Sequence, residues 1–187
     1  TIKVNGSPIE GNSFTMPAAN VTVSVDVLNL RYSFDNENGV LTLFRGSFNQ
    51  DDNWGNDVPV ANVTSVTATD EVSFTGDCTD LFKDFTNCTS MDLSKVNTSE
   101  MTVASRLFSS CTNLQTLNLT GWNTANVTDM ISLFHDCTNL ETLNLSDWNT
   151  ANVSDMSMMF LNCSNLTTIY VGPGWNTENV TNSSHMF

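Results

Sequence analysis

Cysteine and histidine are the residues of this chain whose chemistry could support catalysis or metal binding. The chain has five cysteines and two histidines. Zinc sites use cysteine pairs separated by two to four residues, and the closest pair here, Cys78 and Cys88, is much wider. His135 lies two residues before Cys137, and residues two apart on a helical turn point in different directions, so they do not form a nucleophile and its base. We therefore expect no metal, no cofactor and no catalytic residue, and a protein that is not an enzyme.

Three of the cysteines follow a fixed spacing that indicates a structural role. Cys111, Cys137 and Cys163 are each separated by 26 residues. Equivalent residues of stacked repeats pack on one another, so these three are predicted to form a ladder of buried free thiols. The odd number of cysteines leaves at least one unpaired in any case. A disulfide between Cys78 and Cys88 stays open as an alternative.

The spacing of the cysteines belongs to a sequence repeat. Asn113–Cys137 and Asn139–Cys163 match position by position, and Trp122 and Trp148 keep the same period. Phe108, Phe134 and Phe160 keep it as well. Self-similarity at this period is typical of a solenoid, and the repeat array is predicted over residues 77–187.

Each repeat reads as one strand followed by a turn and a short outer element. Leu117 and Leu119 lie on one face of a strand in the leucine-rich-repeat rhythm. Thr128 or Asp129 can cap a short helix or 3₁₀ turn that carries Met130 and the following apolar residues. The predicted fold class is a leucine-rich-repeat-like solenoid, an α/β repeat that is rich in β structure, with short outer helices and an N-terminal β-hairpin cap.

The residues before the array have a different pattern. Arg31–Phe34 and Val40–Phe44 are β-type runs joined by a segment that ends in Asn38-Gly39, a strong hairpin signal. Residues 28–76 are therefore predicted to be a β cap that shields the apolar end of the first repeat. Residues 1–27 are assigned to the C-terminal part of a small β module or to a leading strand segment.

Charge and hydropathy exclude several classes of partner. Twenty acidic and six basic residues give a net charge of −14. Such a chain repels phosphate groups, so nucleic acid is excluded as a partner, and the absence of a long apolar run argues against membrane insertion by this segment. The chain starts at Thr1 and stops at Phe187 within a repeat, so any signal or anchor is expected outside it. The sequence does not indicate an oligomeric state.

The repeat motif resembles a known family. The segments from Leu117 to Cys137 and from Leu143 to Cys163 resemble BspA-like leucine-rich repeats and the repeats of mycoplasma surface lipoproteins. The stretch Phe14–Pro17 is similar to the end of an internalin-type β repeat, and Tyr32–Leu43 looks like the hairpin that opens many BspA-like arrays. The resemblance implies a secreted bacterial protein at the cell surface that adheres to host matrix proteins or to other cells.

A row of polar side chains is the candidate contact surface. On the predicted strands, the positions that alternate with the core leucines are Asp92, Asn118, Asn144 and Tyr170, flanked by Thr116, Thr142 and Thr168. We expect this row to bind a host extracellular-matrix or cell-surface protein. A passive spacer in a larger surface protein and a glycan-binding accessory module, in which the repeated tryptophans would be exposed, are the alternatives.

Overall fold

The computed structural model describes residues 2–4, 7–8, 23–25, 31–52, 54 and 58–187, in two compact units. The first unit, Thr1–Arg31, contains three short strands: β1 (Ile2–Val4), β2 (Ser7–Pro8) and β3 (Val23–Val25). Both β2 and β3 pair antiparallel with β1. Phe14–Pro17, the stretch that is similar to an internalin-type repeat, lies outside the described residues.

The second unit, Tyr32–Phe187, opens with the predicted hairpin. Strands β4 (Tyr32–Asp35) and β5 (Val40–Phe48) pair antiparallel. Gly39 closes the turn at φ +70°, and a Cβ there would lie 2.7 Å from the Asn62 carbonyl oxygen. A residue with a side chain would meet both a positive φ and a clash, which explains the Asn-Gly signal.

The solenoid follows as a series of parallel strands. After a short 3₁₀ helix at Val60–Asn62, the strands are β6 (Ser65–Asp77), β7 (Ser90–Asp92), β8 (Asn97–Val103), β9 (Thr116–Asn118), β10 (Thr142–Leu145) and β11 (Thr168–Val171). The long β6 pairs with β5, β7 and β8, so it joins the cap to the array. We call the face formed by β7, β9, β10 and β11 the strand side.

The core is built from ladders of identical residues, as predicted. The rings of Phe82, Phe108, Phe134 and Phe160 stack at centroid distances of 5.6–5.8 Å with interplanar angles of 3–7°. Trp122 stacks on Trp148 at 6.3 Å. Val96, which replaces this tryptophan in the first repeat, is also buried. Each coil therefore buries its apolar face on its neighbours, which a single repeat could not do.

Thr98, Thr124 and Thr150 form a further ladder inside the solenoid. The Thr124 hydroxyl donates to the Asn149 carbonyl at 2.9 Å and accepts the Asn149 N–H at 2.9 Å. Thr98 makes the same pair of hydrogen bonds with Asn123. One hydroxyl is thus the hydrogen-bond partner of both the N–H and the carbonyl of a residue in the next coil. Buried polar groups need such partners.

The leucine-rich-repeat-like fold class is confirmed, with one difference on the outer side. Where short helices were expected, the residues from Asp129 to Cys137 form consecutive turns, and the same holds in the neighbouring coils. We call this the turn side. The N–H groups of Met130, Ser132 and Phe134 donate to carbonyls of the next coil at 2.9–3.0 Å instead of to their own segment.

The backbone conformation explains why no helix forms on the turn side. Two positions in each coil have positive φ values, and they recur at the repeat period. The first is held by Asp80, Arg106, Ser132 and Met158, and the second by Asp84, Ser110, Asp136 and Asn162, at φ values between 53° and 64°. A helix requires an unbroken run of right-handed residues, so these positions divide the segment into turns.

Candidate binding face on the strand side

The strand side brings the predicted contact residues into register. Asp92 pairs with Asn118, and Ser90 pairs with Thr116. On the second ladder, Asn144 pairs with Tyr170 and Thr142 with Thr168. All seven predicted residues are exposed except Thr168, which is half-buried. The two-residue alternation along the strands therefore places them in one polar row, as proposed from the sequence.

Three of the polar side chains in this row, Asp92, Asn118 and Asn144, also stabilise the turn behind their own strand. The Oδ1 atom of Asn144 accepts hydrogen bonds from the Ser146 N–H at 3.0 Å and from the Ser146 hydroxyl at 2.6 Å. Asn118 makes the same contacts with Thr120. Local bonds of this kind are typical of asparagine in turns. The asparagines therefore have a structural task, and the oxygen that performs it faces the turn.

Asp92 takes the place of asparagine in the first coil and brings a charge to the row. Its Oδ1 accepts hydrogen bonds from the Ser94 hydroxyl at 2.7 Å, the Ser94 N–H at 3.2 Å and the Asn118 Nδ2 at 3.0 Å. The Ser94 hydroxyl, with smaller contributions from Asn118 and Lys95, lowers the pKa of the Asp92 carboxyl below its usual value. The group is therefore a carboxylate at neutral pH.

A groove of about 440 Å³ crosses this row. Its polar lining includes five of the seven predicted residues, together with Gln115 and Thr120. Leu117, which is half-buried, supplies apolar surface, whereas Val66 and Met91 are only 1% and 2% exposed. The lining consists of Val66, Thr67, Ser90, Met91, Asp92, Gln115, Thr116, Leu117, Asn118, Thr120, Thr142 and Asn144. Ligand clefts in proteins commonly have volumes of roughly 300–1,000 Å³.

One end of the groove, at Thr142 and Asn144, reaches the place where the parallel sheet is interrupted. No hydrogen-bonded ladder joins β9 to β10 within the described part of the chain, whereas β7–β9 and β10–β11 are both paired. Leu117 is half-buried, although its ladder partner Met91 is buried. The Trp148 Nε1 is buried without a hydrogen-bond partner among the described residues, while Trp122 Nε1 donates to the Leu93 carbonyl at 2.9 Å. The coil that contains β9 and the coil that contains β10 are therefore joined by fewer hydrogen bonds on the strand side.

Tyr170 and Val171 form the exposed apolar part of the strand side. Tyr170 is 55% exposed and Val171 is 50% exposed. Tyr170 replaces the asparagine of the two preceding coils. Tyrosine is among the residue types enriched at protein interfaces, because it offers a large rigid surface and a hydroxyl.

Sequence reasoning missed the other residues that line the groove. Met91, Gln115 and Thr120 were not considered as contact residues. The repeat period itself predicts that Gln115 adjoins the polar row. The interruption between β9 and β10 has no signal in the sequence, because the two repeats match almost completely in that region.

The cysteines are free, as predicted for the ladder. Cys78, Cys88, Cys111 and Cys137 are buried and Cys163 is half-buried, and none forms a disulfide. The alternative of a Cys78–Cys88 disulfide is thus not realised. The thiols of Cys111 and Cys137 donate to the carbonyls of Phe82 and Phe108 at 3.2 Å.

Burial also determines the chemistry of these thiols. It raises the pKa of Cys88 and of Cys163 to about 11, and that of Cys137 well above the usual thiol range. A thiol that stays protonated is a weak nucleophile and a weak metal ligand. His135 instead pairs with Asp136, with 3.4 Å between Nδ1 and Oδ2.

The remaining candidate chemistries find little support in the described residues. Trp122 and Trp148 are only 1% and 2% exposed, so neither offers a ring for a sugar to stack on. Within the described ranges, no group of histidine, cysteine and acidic side chains is arranged to hold a metal ion. In the same ranges, no helix has the length and apolar character needed to cross a membrane.

Two solved structures of leucine-rich proteins are similar to this chain. A leucine-rich cell surface protein of Faecalibacterium prausnitzii A2-165 is 17% identical, with a TM-score of 0.46, over 83% of this chain and 43% of its own. A leucine-rich repeat protein of T. pallidum is 11% identical, with a TM-score of 0.35, over 78% of this chain and 81% of its own. The chain thus spans less than half of the first structure.

The sequence comparisons identify a family for the repeat array. No curated protein shows significant sequence similarity to the chain. One family model matches residues 76–187, which include the whole predicted array. This match confirms the predicted resemblance to BspA-like and mycoplasma-type repeats. The chain belongs to the family described as "Mycoplasma protein of unknown function, DUF285".

Proposed function

We propose that this chain is a protein-binding repeat module of a bacterial cell-surface protein, and that it contacts host matrix or cell-surface proteins through the strand side. The observation that carries the proposal is the exposed row in register, which ends at Tyr170 and Val171. Solenoids commonly bind partners through such rows, because the stacked coils present equivalent side chains over an extended surface. The placement at the cell surface follows from the resemblance of the repeats.

The strand side also has the chemical character expected of an interface. It combines an exposed tyrosine and valine with neutral hydrogen-bonding groups such as those of Thr142 and Asn144. Aromatic residues enriched at the centre of an interface and polar groups at its rim are typical of protein partners. The polar contacts that hold the asparagines in place keep the face rigid, which lowers the entropy cost of binding.

The experiment is a binding screen of the purified chain against host matrix proteins and a glycan array at physiological salt. Salt is needed because a chain of charge −14 attracts basic proteins nonspecifically. We expect saturable binding to a matrix protein that is lost when Tyr170→Ala and Thr142→Ala are combined. Both side chains leave the core ladders untouched. Met158→Asn is the matched control, because Met158 is an exposed apolar residue on the turn side.

Three results would contradict the proposal. Equal loss of binding in the Met158→Asn variant would place the contact on the turn side. Absence of binding to every matrix protein would favour a passive spacer. Binding to glycans alone, unaffected by the strand-side substitutions, would instead indicate the accessory glycan-binding role.

A further inference from the structure

The groove on the strand side, lined by residues of β6, β7, β9 and β10, has a distinct chemistry. Its lining contains one carboxylate, that of Asp92, and amide groups from Gln115, Asn118 and Asn144, but no lysine or arginine. The half-buried Leu117 provides an apolar surface beside these acceptors. A long side chain with an apolar stem and a cationic end matches both parts of this lining.

The Asp92 carboxylate has one oxygen available for a ligand. All three hydrogen bonds that it accepts within the described residues go to Oδ1. No described donor reaches Oδ2. A carboxylate oxygen accepts strong charge-assisted hydrogen bonds from ammonium and guanidinium groups.

The cations of the chain itself do not fill the groove. The positive charge of Lys95 contributes to the lowered pKa of Asp92. Its ammonium group, however, lies 3.6 Å from the Asp70 carboxylate, and its side chain is 58% exposed. Arg45 is not part of the lining, and its Nε lies 3.6 Å from the Glu71 carboxylate. The net charge of −14 further favours a cationic ligand over a neutral or anionic one.

We propose that the groove across β6, β7, β9 and β10 is an anchor pocket that takes one lysine or arginine side chain of the partner protein, with Asp92 as the counter-ion. The methylene stem lies against Leu117, and the cationic end reaches the Asp92 Oδ2. Backbone groups of β9 and β10 that lack a ladder partner supply further hydrogen bonds. This inference rests on the proposed function, since it assigns a chemical class of contact to the same face.

The test uses the complete chain and two small probes. These are Nα-acetyl-lysine N-methylamide and the norleucine derivative, which has a similar stem without the ammonium group. The side-chain amide NMR signals of Gln115, Asn118 and Asn144 are followed during titration at physiological salt. We expect saturable shifts with the lysine probe and much weaker ones with norleucine.

Three variants decide whether the groove is responsible. Asp92→Asn keeps the Oδ1 acceptor for Ser94 and removes the charge, and we expect it to weaken lysine binding by roughly threefold, as for a partly exposed ion pair. Thr142→Trp places a large ring at an exposed position of the lining and should abolish binding. Glu100→Gln removes an equal charge from β8, outside the groove, and should leave the affinity unchanged.

The outcomes separate this inference from the proposed function. Equal binding of both probes, or equal weakening by Asp92→Asn and Glu100→Gln, would overturn the anchor pocket. The proposed function would survive that result if a matrix protein still depended on Tyr170. Localised lysine binding without any matrix partner would support the pocket and contradict the wider proposal.

Discussion

The buried threonine ladder predicts that one hydroxyl makes a large contribution to the stability of the solenoid. Thr124 is fully buried, and its hydroxyl bonds both the carbonyl and the N–H of Asn149 at 2.9 Å. Thr124→Val keeps the shape of the side chain and removes both bonds. Leaving a buried polar group without its partner costs about 1–3 kcal/mol. Since the two Asn149 groups are only partly buried, we expect a total loss of about 2 kcal/mol in the free energy of unfolding.

Urea unfolding followed by tryptophan fluorescence measures this loss. For a unit of this size, about 2 kcal/mol corresponds to a decrease in Tm of roughly 4–8 °C. Thr124→Ser keeps the hydroxyl and should recover most of the stability, apart from about 1 kcal/mol for the lost methyl group. Thr116→Val, at an exposed position of β9, is the control and should change stability by less than about 0.5 kcal/mol. If Thr124→Val is as stable as the wild type, or if Thr124→Ser is equally damaged, the hydroxyl does not join the coils.

Three further predictions concern the backbone and the thiols. Gly172→Ala should destabilise the chain by more than about 1 kcal/mol in urea unfolding, because its Cβ would lie 2.0 Å from the Ser146 carbonyl oxygen; an unchanged midpoint would contradict that close approach. Ser110→Gly should be neutral or stabilising and Ser110→Val destabilising, because φ is 62° at this position; equal thermal midpoints for the two variants would contradict the positive φ. The pKa of Cys163 is raised to about 11, so its stabilising contribution is full below the unfolded-state thiol pKa near 9 and is lost as the pH rises from there through about 11. Thiol labelling of the native chain should accordingly stay slow at pH 9 and become fast in urea, and rapid native labelling would refute the burial of the ladder.

The sequence contained enough information for the ladders but not for the turn side. Phe134 and Cys137 recur at a fixed period, and stacking follows from that period alone. The outer residues carry no glycine at the positive-φ positions, which are held by residues as different as Arg106 and Met158. Their conformation is imposed by hydrogen bonds to the next coil, so local propensity predicted helical turns instead.

The candidate site was predictable to a similar, limited extent. Alternation along a strand placed Asn118 and Asn144 on the outside, and the structure puts them there. The missing ladder between β9 and β10 depends on how closely these strands approach each other, which is a property of backbone positions and not of residue types. The near identity of the two repeats even argues for regular pairing between them.

Recognition by this solenoid should therefore depend on the positions that depart from the repeat. An asparagine such as Asn144 uses its carbonyl oxygen to hold its own turn, and an unbroken row of them would be a rigid but uniform surface. Asp92 brings a charge with a free oxygen, and Tyr170 brings an exposed ring, each at a position where the other coils have asparagine. Because specific binding requires features that differ from their surroundings, we expect alanine substitutions at Asp92 and Tyr170 to affect partner binding more than single alanine substitutions at the repeated threonines.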